Sequence, residues 1–332
     1  MSSDVRSADD KLSMSSRKSQ VLNKELIMKF APLISLVLLM IFFSLGTPYF
    51  LNVDNLLTVA LQTSVIGIIA IGCTYVIITA GIDLSVGSVM AFSGVCVGLA
   101  ASIGLPLPIC IMVGALAGAL CGVLNGALIT HITIPPFIAT LGLMMSIRGL
   151  NLVLTDGRAL YFTEYPSFKL LAQGKLFGAI PYPVIYFAVI AFIAAYLLKR
   201  TVIGRYIYAV GSSEGAAHLS GIKVNRVKMF VYTFCGLMTG IAGVIITARL
   251  NSGQPTAGVG YELEAIAAVI IGGTSLMGGI GTIGGTIIGA FIMSILKNGL
   301  NLMGVSQFWQ MVAMGTVVIA AVYLDTLRKK VK

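Results

Sequence analysis

AGIDLSVGSVM, residues 80–90, sets one carboxylate, two serines and two glycines between two long apolar stretches that hold almost nothing else ionisable. A helix running unbroken through it would carry Asp83 into hydrocarbon. A chain that breaks there frees peptide groups that only protein or a water-lined cavity can satisfy. The stretch reads as an interruption between two membrane segments, with Asp83 just ahead of the second. From that position the carboxylate caps the free N–H groups of the next helix, with Ser85 and Ser88 on its first turn, or it lines a path and touches solute. The two roles can coexist.

Composition fixes the surroundings. Of 332 residues, 57% are hydrophobic and only 10% charged, against roughly one quarter charged in soluble domains. Apolar runs extend from Phe30 to Leu324, which leaves no room for a separate water-soluble domain. The formal charge of +10 arises from basic residues at the ends of apolar segments, where they set orientation, so nucleic acid is not an expected partner. Cys73, Cys96, Cys110, Cys121 and Cys235 lie inside apolar stretches without paired spacing and imply neither disulfides nor a metal site. The run Phe30–Leu45 is followed by Gly46, Thr47 and Pro48 rather than a small-residue cleavage pattern, so a retained span is expected.

A spanning helix needs about 20 mostly apolar residues. On that ruler spans fall near 30–46, 57–79, 84–103, 107–130, 134–155, 183–199, 229–249, 263–274, 285–303 and 307–325, the eighth being too short. Sixteen of the 22 basic residues lie in the amino tail, in the 199–228 loop and at the carboxyl end. An even number of spans puts all three clusters in the cytoplasm, as the bias of basic residues toward that side requires. The expectation is an all-α membrane protein of about ten transmembrane helices, broken or half helices among them, with both termini cytoplasmic. Residues 1–29 read as a disordered cytoplasmic tail, 30–327 as the membrane domain and 328–332 as a basic tail. On the opposite face, the 156–182 stretch mixes aromatics with Glu164, Lys169 and Lys175. It reads either as an amphipathic segment lying on the membrane or as a docking surface.

The eighth span runs into a second interruption, GGTSLMGGIGTIGGT, residues 272–286. Aligning Gly81 with Gly279 also pairs Ile82 with Ile280, Gly87 with Gly285 and Val89 with Ile287. Two glycine-interrupted hydrophobic segments point to a transport site. Further polar residues fall inside spans: Asn125 in the fourth, Arg148 in the fifth, Lys297 and Asn298 in the ninth, with Glu262 and Glu264 at the start of the eighth. The cations either snorkel toward an interface or face a polar path and pair with carboxylates. Hydroxyl, amide and charged groups of this kind suit a sugar or neutral polyol. Gly114, Gly118, Gly122 and Gly126, at a spacing of four, give the fourth span one smooth face for close helix packing.

In the 199–228 loop, VGSSEGAAHLSGIKV at 210–224 carries a small helix with tidy ends. Ser212 or Ser213 suits the N-cap, Glu214 the first turn, and Gly221 the left-handed position past the last turn. Flanked by basic residues, it offers a surface to a cytoplasmic partner.

Taken together, TAGIDLSVGSVMA (79–91), LNGALIT (124–130), PPFIATLG (135–142), the 210–224 stretch and GYELEAIAAVIIGGTSLMGGIGTIGGTIIGA (260–290) resemble the permease subunits of ATP-binding-cassette importers for ribose, xylose, galactose, autoinducer-2 and related small polyols. The resemblance covers most of the chain from about residue 30. It implies a pseudo-symmetric helical permease in a bacterial inner membrane, paired with a second copy or paralogue. Two cytoplasmic ATPase subunits and a periplasmic sugar-binding protein complete such a complex. It also implies that 210–224 is the coupling helix seated on the ATPase, with Glu214, Ala216, Ala217, His218, Gly221 and Ile222 at the contact, and that 79–91 and 260–290 line or brace the translocation path. No GxxxxGK[ST] phosphate loop is present, so ATP is expected on the partner subunits and no cofactor in this chain. His131 and His218 sit at boundaries with no HExxH or serine–histidine–acid pattern around them, which disfavours a membrane enzyme. The alternatives are a branched-chain amino-acid-type permease of the same superfamily and an ion-coupled carrier using Asp83, Glu262 and Glu264.

Overall fold

The computed structural model describes residues 30–329 and is helical almost throughout. In chain order the helices are α1 (Phe30–Gly46), α2 (Val53–Ile78), α3 (Val86–Ser102), α4 (Leu107–Thr130), α5 (Pro136–Thr155), α6 (Leu170–Gln173), α7 (Tyr182–Arg200), α8 (Val202–Ser212), α9 (Glu214–Leu219), α10 (Val224–Leu250), α11 (Tyr261–Ile271), α12 (Ile283–Leu302) and α13 (Gln307–Lys329). Six of them, α2, α4, α5, α7, α10 and α12, are long and apolar enough to cross a membrane; α1, α3 and the Gln307–Tyr323 part of α13 are shorter apolar helices. The expectations for residues 1–29 and 330–332 lie outside the described residues, and α13 continues through the first two positions of the expected basic tail.

Helix ends differ from the hydropathy reading where polar residues start a helix. Asn52 caps α2 by accepting from the Asp54 N–H, so α2 begins four residues before the expected 57. α10 starts at Val224 rather than 229, because Asn225, Arg226 and Lys228 extend it beyond the apolar run. Two short antiparallel pairs complete the secondary structure: β1 (Leu160–Tyr161) with β4 (Ser252–Gly253), and β2 (Lys175–Leu176) with β3 (Ile180–Pro181). The 156–182 stretch is therefore folded onto the bundle, where Phe162 and Phe168 are buried with ring centroids 4.5 Å apart.

Helices α4 and α10 form the tightest contact, and glycine explains it. A side chain on Gly118 would come within 2.5 Å of the Gly236 carbonyl and the Gly240 Cα, and one on Gly122 would strike the Tyr232 carbonyl. Gly114 admits Val97 and Val244, and Gly126 admits Met229. The four-residue stripe thus meets a second one, Gly236 and Gly240, and the two backbones touch. Between lipid-facing helices, where no hydrophobic force separates protein from solvent, such close packing carries association.

Replacing Gly118 with valine inserts branched carbon where backbone stands on both sides, and is expected to cost about 2 kcal/mol or more. Thermal unfolding in detergent should fall by several degrees for Gly118→Val. Gly142→Ala, at a position with nothing within 4 Å, should leave it equal or slightly raised.

Candidate functional site

The first interruption is built by the end of α2. Gly81 N–H donates to the Val76 carbonyl (3.0 Å) and Ala80 N–H to Ile77 (2.9 Å), closing the helix as a Schellman motif. The left-handed position falls on Ala80 (φ 59°), where glycine is usual, so the turn is held under strain. The chain then passes Ile82 and reaches Asp83, which is 3% exposed. Its Oδ1 accepts from the Ser85 N–H (2.9 Å) and hydroxyl (2.6 Å), and Asn125 Nδ2 of α4 donates to Ser85 Oγ (2.9 Å) and more weakly to Asp83 Oδ1 (3.4 Å). Asp83 therefore closes an Asx turn on Ser85, the N-cap residue of α3, and does not reach the free N–H groups of the helix's first turn, while Ser85 makes no cap bond of its own; the expected cap is displaced onto the turn that precedes the helix, because Asp83 lies two residues ahead of the N-cap. Ser88 turns its hydroxyl back to the Ser85 carbonyl (2.8 Å), and Asn151 of α5 donates to the Ser88 carbonyl. Among the described residues Asp83 has no basic partner, and the buried Asn125 Oδ1 and Tyr232 hydroxyl beside it are without a hydrogen bond.

The segment between α10 and α11 is packed against the bundle. It runs antiparallel along α3. Gly253 lies against Gly94, and Gly258 approaches Gly87 so closely that neither tolerates a methyl group. Glycines seven residues apart on α3 form a groove that takes irregular backbone, which is how such backbone survives at membrane depth. The groove delivers the chain to the start of α11, an 11-residue helix whose first turn carries Glu262 and Glu264. A side chain on Gly87 would run into the Glu262 carboxylate.

Both glutamates are paired. Arg148 of α5 reaches Glu262 Oε1 at 2.7 Å, and Lys297 of α12 reaches Glu264 Oε1 at 2.7 Å while lying 5.5 Å over the Tyr261 ring. Glu262 Oε2 and Glu264 Oε2 are buried without a hydrogen bond. Two carboxylates in a first turn also suit the positive end of the helix dipole. One helix over, Asn298 and Asn55 exchange amide hydrogen bonds at 2.9 and 3.0 Å. The sequence-chosen polar residues thus fall into separate groups: Asp83, Ser85, Ser88 and Asn125 at the first interruption, and Arg148–Glu262 and Lys297–Glu264 bracketing α11, with Asn298 beside them.

The second interruption, residues 272–282, returns to the first. Gly279 N–H donates to the Ile78 carbonyl at 2.9 Å, and the last turn of α8 closes over both. Gly211 leaves no space for a side chain between the Ile78 carbonyl and the Gly279 nitrogen. Tyr208 on the same helix donates its hydroxyl to the Gly281 carbonyl (2.7 Å), and burial pushes the phenol above its ordinary value, so the proton stays available for that bond at neutral pH.

The 199–228 loop holds two helices where one was expected, α8 capped by Thr201 and α9 capped by Ser213, whose Oγ accepts from Ala216 N–H (3.3 Å). α9 closes as a second Schellman motif, with Gly221 at φ 80° and Ile222 N–H donating to the Ala217 carbonyl. Glu214 pairs with Lys228 of α10 at 2.7 Å, Ala217 is buried, and an open groove of about 380 Å³ runs past His218, Gly221, Ile222 and Lys223.

Residues 55–322 match the family described as branched-chain amino acid transport system / permease component. The chain belongs to that permease family. It is 48% identical over 304 residues to the ribose import permease protein RbsC of Bacillus subtilis, covering 91% of this chain and 93% of the relative. The RbsC of Haemophilus influenzae is 46% identical over 295 residues, covering 88% and 91%. The D-allose transport system permease protein AlsC of Escherichia coli is 39% identical over 295 residues, covering 89% and 90%. No solved structure matches.

The permease carries contacts at the two interruptions that spacing alone does not reveal. Gly211, Tyr208 and Gly94 carry no particular reading from the sequence, and Gly87 reads only as part of the first interruption; the seven-residue interval between Gly87 and Gly94 is the available signal.

Arg148 and Glu262 are predicted to couple. In a double-mutant cycle of Arg148→Met and Glu262→Gln, thermal unfolding in detergent should return an interaction of about 1–2 kcal/mol, with each single variant destabilised more than the pair.

Proposed function

We propose that this chain is the membrane-spanning subunit of an ATP-binding-cassette importer that conducts a neutral monosaccharide, ribose or a close analogue, into the cytoplasm. The observation that carries the reading is the match over about nine-tenths of the chain to permeases named for ribose import. Relatives named for D-allose and xylose widen the class to aldoses. On this reading the chain crosses a bacterial inner membrane ten times, counting α1, α3, α11 and α13, with both termini in the cytoplasm. Residues 30–327 form the permease domain, between a tail at 1–29 and a basic end at 328–332.

The chain itself binds no nucleotide, in keeping with the missing phosphate loop, and it needs no cofactor. Energy arrives from a cytoplasmic ATPase docked on α9, with Glu214, Ala216, Ala217, His218, Gly221 and Ile222 as its footing. α8 passes displacement to Ile78 and Gly279, and so to both interruptions together. A periplasmic binding protein delivers the sugar, and a second copy or paralogue of the permease completes the pore. Asp83, Ser85, Ser88, Asn125, Arg148, Glu262, Glu264, Lys297 and Asn298 line or brace the path. The pairing of Glu262 with Arg148 and of Glu264 with Lys297 supports a bracing role for both glutamates over the one an ion-coupled carrier would give them.

The test is uptake of labelled ribose by cells expressing the permease with its ATPase and binding protein. Gly221→Val strains the α9 turn by about 1–2 kcal/mol, and Glu214→Lys sets like charges against Lys228. The two together should lower ribose uptake at least tenfold while membrane insertion stays intact. Unchanged uptake would refute the coupling role, and absence of aldose uptake in the wild type would refute the sugar reading.

A further inference from the structure

A cup of about 270 Å³ opens where α2 begins, α12 ends and α13 begins. Six of its seven lining residues carry polar side chains, Gln62 from α2, Lys297, Asn298 and Asn301 from α12, and Gln307 and Gln310 from the start of α13, with Val305 the seventh, although apolar atoms make up most of the surface they present. Five carboxamides meet at this one small hollow, Asn298 buried, Gln62 and Gln310 half-buried, and Asn301 and Gln307 exposed at its mouth.

The rim is already organised. Asn298 is held by its reciprocal bonds with Asn55, Gln310 Nε2 donates to the Val305 carbonyl at 2.8 Å, and Lys297 is held by Glu264 and the Tyr261 ring. Gln62 differs. Its Oε1 is buried and accepts no hydrogen bond. A buried acceptor left unsatisfied lowers the stability of the protein, and a donor from a molecule bound in the cup would satisfy it.

The chemistry of the lining selects the ligand. Lys297 is neutralised by Glu264, so the cup offers no net charge to an anion or a cation. What remains is a set of amides, each able to donate and accept, arranged around a volume just under the roughly 300 Å³ at which small-molecule sites begin. That set matches a ring of hydroxyl groups, each of which also donates and accepts.

We infer that this cup is a subsite for a neutral monosaccharide, with Gln62 Oε1 taking a hydroxyl proton and Gln310 and Asn301 holding neighbouring hydroxyls. The inference rests on the sugar-importer reading. On the orientation proposed above, the cup lies at the outward end of the bundle, where sugar released from a binding protein first meets the permease.

The complete importer, reconstituted in liposomes with its ATPase and binding protein, tests it with D-ribose as probe. In Gln62→Leu/Gln310→Leu, ribose uptake per ATP hydrolysed should fall about tenfold or more, the effect of losing two hydrogen bonds to the solute. ATP hydrolysis stimulated by the binding protein should stay within about twofold of wild type, since neither residue touches α8 or α9. Gln62→Leu alone should unfold at the same or a higher temperature, because it removes an unsatisfied acceptor; a structural role for Gln62 would lower that temperature and would count against the subsite. Where the double variant fails to assemble, Gln310→Leu alone, at a half-buried position, must still lower uptake per ATP about threefold or more, and wild-type efficiency there overturns the subsite. A wild-type complex that hydrolyses ATP but moves no aldose overturns the sugar reading and the subsite together, whereas full efficiency in the double variant overturns the subsite alone.

Discussion

Inside a bilayer a peptide group released from a helix has no water to turn to, and every irregular segment must find its partners within the protein. That constraint organises this chain. Three stretches leave helical geometry at depth: residues 79–85, 251–260 and 272–282. Each is satisfied by a different device. The first closes on itself as a Schellman turn and then leans on Asp83; the second pairs Ser252 and Gly253 with β1 and closes the rest in tight turns while lying in the Gly87–Gly94 groove of α3; the third donates its Gly279 N–H to the carbonyl that α2 leaves free at Ile78. Glycine is the common means, because only without side chains do two backbones approach to hydrogen-bonding or van der Waals distance.

Much of this arrangement was legible in the sequence, for reasons that are local. The carboxylate in GIDLSVG announces a break because an isolated acid is too costly to hold inside a continuous lipid-facing helix. The Gly114–Gly126 stripe announces close packing because its period is that of a helix face, and α4 indeed meets α10 along it. Ser213 and Gly221 announce the ends of α9 because caps depend on residues within one turn.

What was not legible depends on distant parts of the chain. Hydropathy leaves residues 250–260 between the seventh and eighth spans with no partner in sight; the burial of Ser252, Gly253 and Gly258 follows from a groove on α3, some 160 residues earlier. The pairing of Glu262 with Arg148 and of Glu264 with Lys297 joins residues 114 and 33 positions apart, and no spacing rule links them. Gln62, Gln307 and Gln310 carry no pattern that links them in sequence and line one hollow only because α2, the end of α12 and the start of α13 meet around it. The division of the 199–228 loop into α8 and α9 was hidden for a related reason: Val202–Ser212 is amphipathic, and its apolar side makes sense only against the two interruptions it covers.

The Gly87–Gly258 approach also fixes an order of events during biosynthesis. The amino-terminal half leaves the ribosome first, so α3 enters the bilayer long before residues 252–260 exist. Its glycine furrow must stay vacant, shielded by lipid or by neighbouring helices, until α10 has inserted and the following residues can lie down in it.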